Sequence, residues 1–301
     1  MQHPIIKKTS KLERIFILAA LIVFGLIIGS VLGLLYPVLT GCGPKELNSL
    51  RFMQICSQIF TFVLPPVIYA ILVKEKPMIS LGFRKTSLLW IIIGIALMYV
   101  IMPINSIFAE WNANIKLPEA IGSLEELLKT MQEAATEMME KFVNVNTVGG
   151  LIINLFMIAG LAAIGEELLF RSVIQTSLIK TCKNVHIGIF LTSVIFSLIH
   201  FEFYGFIPRL VLGLLLGYMY FYTRSIWVPM AMHFVNNGTI VVLYYINNVS
   251  NANINIDEFG KTNTFLLISS IIATIALLWF ATKKHSKEEL SSENDEQITN
   301  N

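Results

Sequence analysis

The stretch IGEELLFR, residues 164–171, places Glu166, Glu167 and Arg171 inside a long apolar run. Later apolar runs add His200, at the end of VIFSLIH, and His233, Asn236 and Asn237 within HFVNN. Ionisable groups at membrane depth are costly and usually face a cavity or one another, which makes each a functional candidate. On a helix, residues four apart share a face, whereas neighbours point about 100° apart. Glu167 and Arg171 therefore suit a buried ion pair, with the glutamate on the favourable N-terminal side. Glu166 faces elsewhere and has no basic residue one turn away. The structural task falls to Glu167 with Arg171, and the chemical task to Glu166.

A carboxylate held out of water suits a general base working near neutral pH. Glu166 is placed to take a proton from water, with His200 sharing that work. His233 and Asn237, four apart, are placed to donate hydrogen bonds to the oxyanion of a tetrahedral intermediate. Together these describe hydrolysis of a peptide bond by activated water, with no serine or cysteine nucleophile. Ser197 lies three residues before His200 but has no oriented base. Asn236 is assigned to packing or bracing; His3, His186 and His285, in tails or near helix ends, are set aside. The chemical alternative is zinc on Glu166, His200 and His233. No H-E-x-x-H is present, since HFEFY at 200–204 lacks the second histidine, so no metal is expected.

The elements that must position these groups follow from composition. Of 301 residues, 55% are hydrophobic and 14% charged, and mean hydropathy is +0.68; a soluble domain carries about 25% charged residues. The fold class is all-α, a polytopic membrane protein. A span needs about 20 apolar residues, and runs near 15–38, 52–73, 87–108, 149–178, 187–200, 207–222, 227–246 and 264–282 predict about eight. Residues 118–143 have helical apolar spacing behind a capping box at Ser123–Glu126, predicting one external amphipathic helix. Residues 1–147 hold three spans and that helix, 148–282 the bundle with the chemistry, and 283–301 a polar, disordered tail. Lys and Arg gather in the N-terminal tail (Lys7, Lys8, Lys11, Arg14), the 74–85 loop, the turns near 180–186 and 224, and the C-terminal tail. Both termini are therefore expected in the cytoplasm.

Glu166 lies 14 residues before Lys180, and His200 lies 14 after His186. In an antiparallel hairpin both sit about 21 Å from the turn. His233 and Asn237 fall roughly 14 and 20 Å past Arg224. Three helices thus bring four residues to one level. The FEFYGFIPR stretch after His200 predicts irregular backbone around a wet pocket, and LPPVI at 64–68 predicts a kink. LTGC at 39–42 resembles a lipoprotein cleavage box, but the apolar run before it is too long for a signal peptide; a helix ending in a Gly-Cys-Gly loop is expected. Cys42, Cys56 and Cys182 form no disulfide framework. A net charge of +2 gives no reason to expect a nucleic-acid partner.

EELLFR matches E-E-x-x-x-R, FSLIH matches F-x-x-x-H, and HFVNN matches H-x-x-x-N, on successive late spans. In this order they resemble the CAAX-protease and bacteriocin-processing family of intramembrane proteases, which includes the eukaryotic endoprotease that trims prenylated proteins. The resemblance covers about 148–246; the first three spans carry none of it. It implies that Glu166 and His200 activate water, that His233 and Asn237 form the oxyanion hole, and that Glu167 and Arg171 brace the site, in a glutamate-type enzyme without a metal. The implied partners are membrane lipids and a membrane-associated peptide or protein, lipidated in the eukaryotic case. An Ile/Lys/Asn-rich chain suggests a bacterial cell membrane, where peptide maturation, bacteriocin self-immunity or signalling are the roles implied. The rival class is a non-proteolytic immunity or regulatory protein that binds a peptide or a membrane partner such as a histidine kinase. A transporter is disfavoured, because no paired halves are visible.

Overall fold

The computed structural model describes residues 5–6, 9–116, 118, 120, 122–250, 252, 254–256 and 259–299. His3, Lys7, Lys8 and residues 300–301 lie outside these. The described residues form an all-α membrane protein without strands. Its main helices are α1 (Lys11–Thr40), α2 (Leu47–Val73), α3 (Leu88–Val100), α4 (Met102–Ala113), α5 (Gly122–Val143), α6 (Val148–Cys182), α7 (Val185–Leu198), α8 (Phe206–Thr223), α9 (Trp227–Ser250) and α10 (Thr264–Thr299).

Among the described residues, five helices are long and apolar enough to cross a membrane, or six if α3 and α4 form one span bent by 45°. The expected eight is therefore not reached by these criteria. Pro103, next to the break, explains the bend, because proline lacks an N–H and clashes with the preceding turn. Helix α7 has only 14 residues, too few for a full crossing. Helix α9 is long enough, but its polar residues, which include His233, Asn236, Asn237, Asn247 and Asn248, dilute its hydropathy.

Where the sequence predicts a kink at LPPVI, α2 accommodates the prolines with a π-helical stretch, Gln58–Val63, directly before them. A π turn changes which carbonyls need donors. Helix α1 ends at Thr40, where Gly41 adopts the left-handed conformation of a helix C-cap (φ 71°). Helix α5 starts at Gly122, so Ser123 lies inside the helix instead of capping it. The helix has an acidic, exposed face and is anchored at its end. Phe142 and Val143 are buried, and Asn154 and Asn248 donate to their carbonyls. Helix α10 continues to Thr299, past Lys283, where the polar tail begins. The continuation has partners: Trp90 Nε1 donates to Glu288, and His285 Nδ1 lies 2.9 Å from the Tyr222 carbonyl.

Two apolar cores position the later helices. One joins Trp90, Ile93 and Leu97 of α3 to Leu216 and Met219 of α8 and Val228 and Met232 of α9. The other joins Tyr69 and Val73 of α2 to Leu168 and Val173 of α6, with Tyr220 and Met230. Both draw on residues from either side of position 147. Helix α1 is peripheral. Its buried residues are Gly25, Gly29, Gly33 and Pro37, one stripe four residues apart. A Cβ on Gly25 would come within 1.9 Å of the Phe60 carbonyl oxygen. Small residues allow such backbone contact between helices where lipid removes the hydrophobic incentive to pack. Gly25→Ala is expected to cost about 1–3 kcal/mol by overpacking, read as a lower unfolding temperature in detergent. Val31→Ala, on the exposed side of α1, is expected to change little, and equal behaviour of the two variants would mean that α1 is not seated on α2.

Candidate active site

Helix α6 carries both glutamates in a short α-helical piece, Ala162–Glu167, flanked by π-helical stretches at Leu155–Leu161 and Leu168–Gln175. Below the site, Ser172 Oγ donates to the Leu81 carbonyl and Gln175 Nε2 to the Gly217 carbonyl, which pins α6 to its neighbours. Helix α7 brings Phe196 and, two residues past its end, His200, and α9 brings His233 and Asn237.

Glu167 and Arg171 form the expected ion pair, 2.8 Å between Oε2 and Nε, and neither side chain is exposed. The sequence does not reveal the other half of the arrangement. Glu167 Oε1 also accepts from His233 Nδ1 at 2.9 Å. A carboxylate can only accept, so Nδ1 carries a proton and Nε2 is the free nitrogen of the neutral ring. His233 Nε2 faces Glu166 Oε2 at 3.9 Å. One imidazole thus stands between the two glutamates, and Glu167 is a positioning group as well as half of an ion pair. Glu166 Oε2 is buried and has no hydrogen-bond partner among the described residues.

His200 ends up beside this cluster through Phe196. Its Nδ1 lies 2.8 Å from the Phe196 carbonyl oxygen, which must accept, leaving Nε2 free in the neutral ring. The Phe196 ring meets His200 edge-on at 5.2 Å between centroids and His233 at 6.1 Å. The Arg171 guanidinium stands 5.2 Å from the same ring. Nη1 and Nη2 of Arg171 have no hydrogen-bond partner among the described residues, so the aromatic face is the contact in place for the rest of that charge. Phe196 was visible as the first position of F-x-x-x-H, but nothing in the spacing assigns it this central place.

The chain turns abruptly after α7 and His200, with Phe201 in the left-handed region (φ 55°). The irregular backbone expected here is held by polar contacts. Asn112 of α4, buried, donates to the Phe203 carbonyl and accepts from the Ile207 N–H. Arg209 pairs with Glu202. Ser197 donates to the Phe206 carbonyl at 2.7 Å, so its hydroxyl is committed to the backbone.

Asn237 stands one turn beyond His233, but no hydrogen bond among the described residues joins it to Glu166, His200 or His233. Its Nδ2 donates to the Ile158 carbonyl at 3.1 Å, and its Oδ1 accepts from Asn236 at 3.0 Å. Asn236 therefore braces Asn237. His186 and His285 lie elsewhere, against Tyr218 and Tyr222. Among the described residues, no three His, Cys, Asp or Glu side chains are grouped as a metal ion requires.

Residues 148–239 match the family described as Rce1-like, "Type II CAAX prenyl endopeptidase Rce1-like". The likeness to this family is confined to that segment, under a third of the chain. It contains Glu166, Glu167, Arg171, His200, His233 and Asn237. A curated relative, the "Uncharacterized protein YpbD" of Bacillus subtilis (strain 168), is 39% identical over 79 residues, covering 25% of this chain and 37% of the relative. The chain thus spans little more than a third of that relative's length. No solved structure matches the chain.

Glu167→Gln leaves the Arg171 charge buried without its partner and is expected to destabilise the protein by about 3–5 kcal/mol. Adding Arg171→Met should recover part of that loss, because the stranded charge is removed. Thermal or denaturant unfolding in detergent measures both. A Glu167→Gln variant as stable as the parent would contradict the pairing seen here.

Proposed function

We propose that the protein is an intramembrane endopeptidase of the CAAX-protease type, hydrolysing a peptide bond of a membrane-associated peptide or protein with water activated by Glu166. The observation that carries this reading is the unpartnered Oε2 of Glu166 facing His233 Nε2, within the segment that matches a peptidase family.

Glu166 Oε2 takes the proton of a water, and the hydroxide so formed attacks the scissile carbonyl carbon. His200 helps to hold that water through its free Nε2. The carbonyl oxygen becomes an oxyanion and accepts hydrogen bonds from His233 and Asn237. Donation from His233 Nε2 requires the ring to carry both protons, and a carboxylate flanks each of its nitrogens. Asn237 Nδ2 has two hydrogens; one is given to Ile158 and the other remains for the oxyanion. Collapse of the intermediate breaks the C–N bond, and Glu166 returns its proton to the leaving amine. Glu167 and Arg171 hold His233 in place. In this scheme the residues work without a metal, and both termini lie on the cytoplasmic face.

Glu166→Gln is expected to fold with the parent's unfolding temperature while hydrolysis falls by about 10²–10⁴-fold, the usual weight of a general base. Comparative peptidomics of cells carrying the parent or the Glu166→Gln protein should show a precursor that accumulates only with the variant. Full rescue of a deletion phenotype by Glu166→Ala would favour a non-proteolytic regulatory or immunity role instead. Activity of purified protein is expected to survive a strong chelator; loss on chelation and return with zinc would replace the water-activating carboxylate with a metal.

A further inference from the structure

A cavity of about 410 Å³ lies between α4, α9 and the 259–261 turn. It is lined by Asn236 and Ile240 of α9 and, among others, by Asn114 and Lys261. Asn236 is three residues from His233, about one helical turn of 5.4 Å. Its Nδ2 donates to Asn237 Oδ1, so a lining residue of the cavity is bonded directly to a residue proposed to hold the oxyanion.

The lining mixes polar and apolar groups. Asn105, Ser106 and Asn236 supply both donors and acceptors, and Met102 and Ala109 supply apolar surface. The Asn105 Oδ1 atom is shielded from solvent and has no hydrogen-bond partner among the described residues. Glu110 and Lys261, both in the lining, carry opposite charges, so the cleft selects neither cations nor anions. An extended peptide has the matching chemistry. Its main chain presents N–H and C=O groups that are expensive to leave unpaired away from water, and its side chains alternate between polar and apolar surroundings. The volume falls within the range of small-ligand sites and suits a short segment. The rim is built closely. Gly260 has φ 98°, and a Cβ there would come within 3.2 Å of the Met102 carbonyl oxygen.

We propose that this cleft is the substrate-binding groove, receiving an extended segment of the polypeptide whose scissile bond lies at Glu166. The inference rests on the peptidase reading and deepens it. Most of the lining lies in α4 and the 259–261 turn, outside the family-matched segment 148–239. The shared catalytic groups would then act on substrates chosen by the part of the chain that the family match does not cover.

The test uses full-length Glu166→Gln protein in lipid nanodiscs, incubated with a synthetic library of unmodified apolar peptides, with retained peptides quantified by mass spectrometry. Adding Ala109→Trp, which fills the cleft, is expected to lower retention by at least about tenfold. Ile272→Trp, on an exposed face of α10, is expected to leave it unchanged. If Ala109→Trp does not fold, Ser106→Leu fills less of the same space. Equal retention by a folded cleft variant, or no retention by the open cleft, overturns the proposal. Peptides retained at the cleft but not cut when Glu166 is restored would sink the peptidase reading and leave the groove standing. Cutting by the Ala109→Trp protein with Glu166 restored, at unchanged rate and preference, would leave the peptidase and remove the groove.

Discussion

A guanidinium and a carboxylate, both withdrawn from solvent, meet at the centre of this protein, and the surrounding helices are arranged to keep them together. The Glu167–Arg171 pair is completely buried. Neither charge could remain there alone, since the desolvation cost of each is several kcal/mol. The pair ties α6 to α9 through His233 and to α7 through the Phe196 ring. Each added contact takes up a lone pair or a face of charge that the ion pair leaves over. Buried pairs are weak contributors to net stability, so its significance here is geometric. It fixes one face of the imidazole, and thereby the atom that confronts Glu166.

The Glu167–Arg171 contact was legible in the sequence because both residues lie on one helix, four apart. The contact of His233 with both glutamates was not. Counting residues from a turn gives depth along a helix but not its rotation toward a neighbour, and it is rotation that sets which nitrogen meets which carboxylate. The same limit hides the Asn237–Ile158 bond, which takes up one of the two amide hydrogens of Asn237. The all-α membrane architecture was readable from hydropathy. The number of crossings was less so, because α9 exchanges apolar residues for polar ones such as His233, Asn236 and Asn237 and α7 has only 14 residues. The length of α10 was misjudged from composition alone: a polar tail reads as unstructured until Trp90 and Tyr222 supply partners for it.

The N-terminal half carries none of the candidate site residues yet shapes where they sit. Asn112 clamps the turn that follows His200, so the end of a short helix is held by a side chain from a distant segment. Irregular backbone within a bilayer needs such donors and acceptors from protein. Asn112 meets the need with one amide, satisfying a carbonyl with its nitrogen and an N–H with its oxygen.

The two π-helical stretches of α6 also bear on how such a protein can change over time. Each shifts the pattern from i→i+4 to i→i+5 bonding, which resets the rotational phase of everything that follows. The six residues Ala162–Glu167 between them therefore have an azimuth of their own. Apolar stripes on the outer parts of the helix can drift with the lipid they face while the carboxylates keep their bearing. Conversely, one residue gained or lost in either stretch would swing Glu166 by about 100° and leave both ends of the helix embedded.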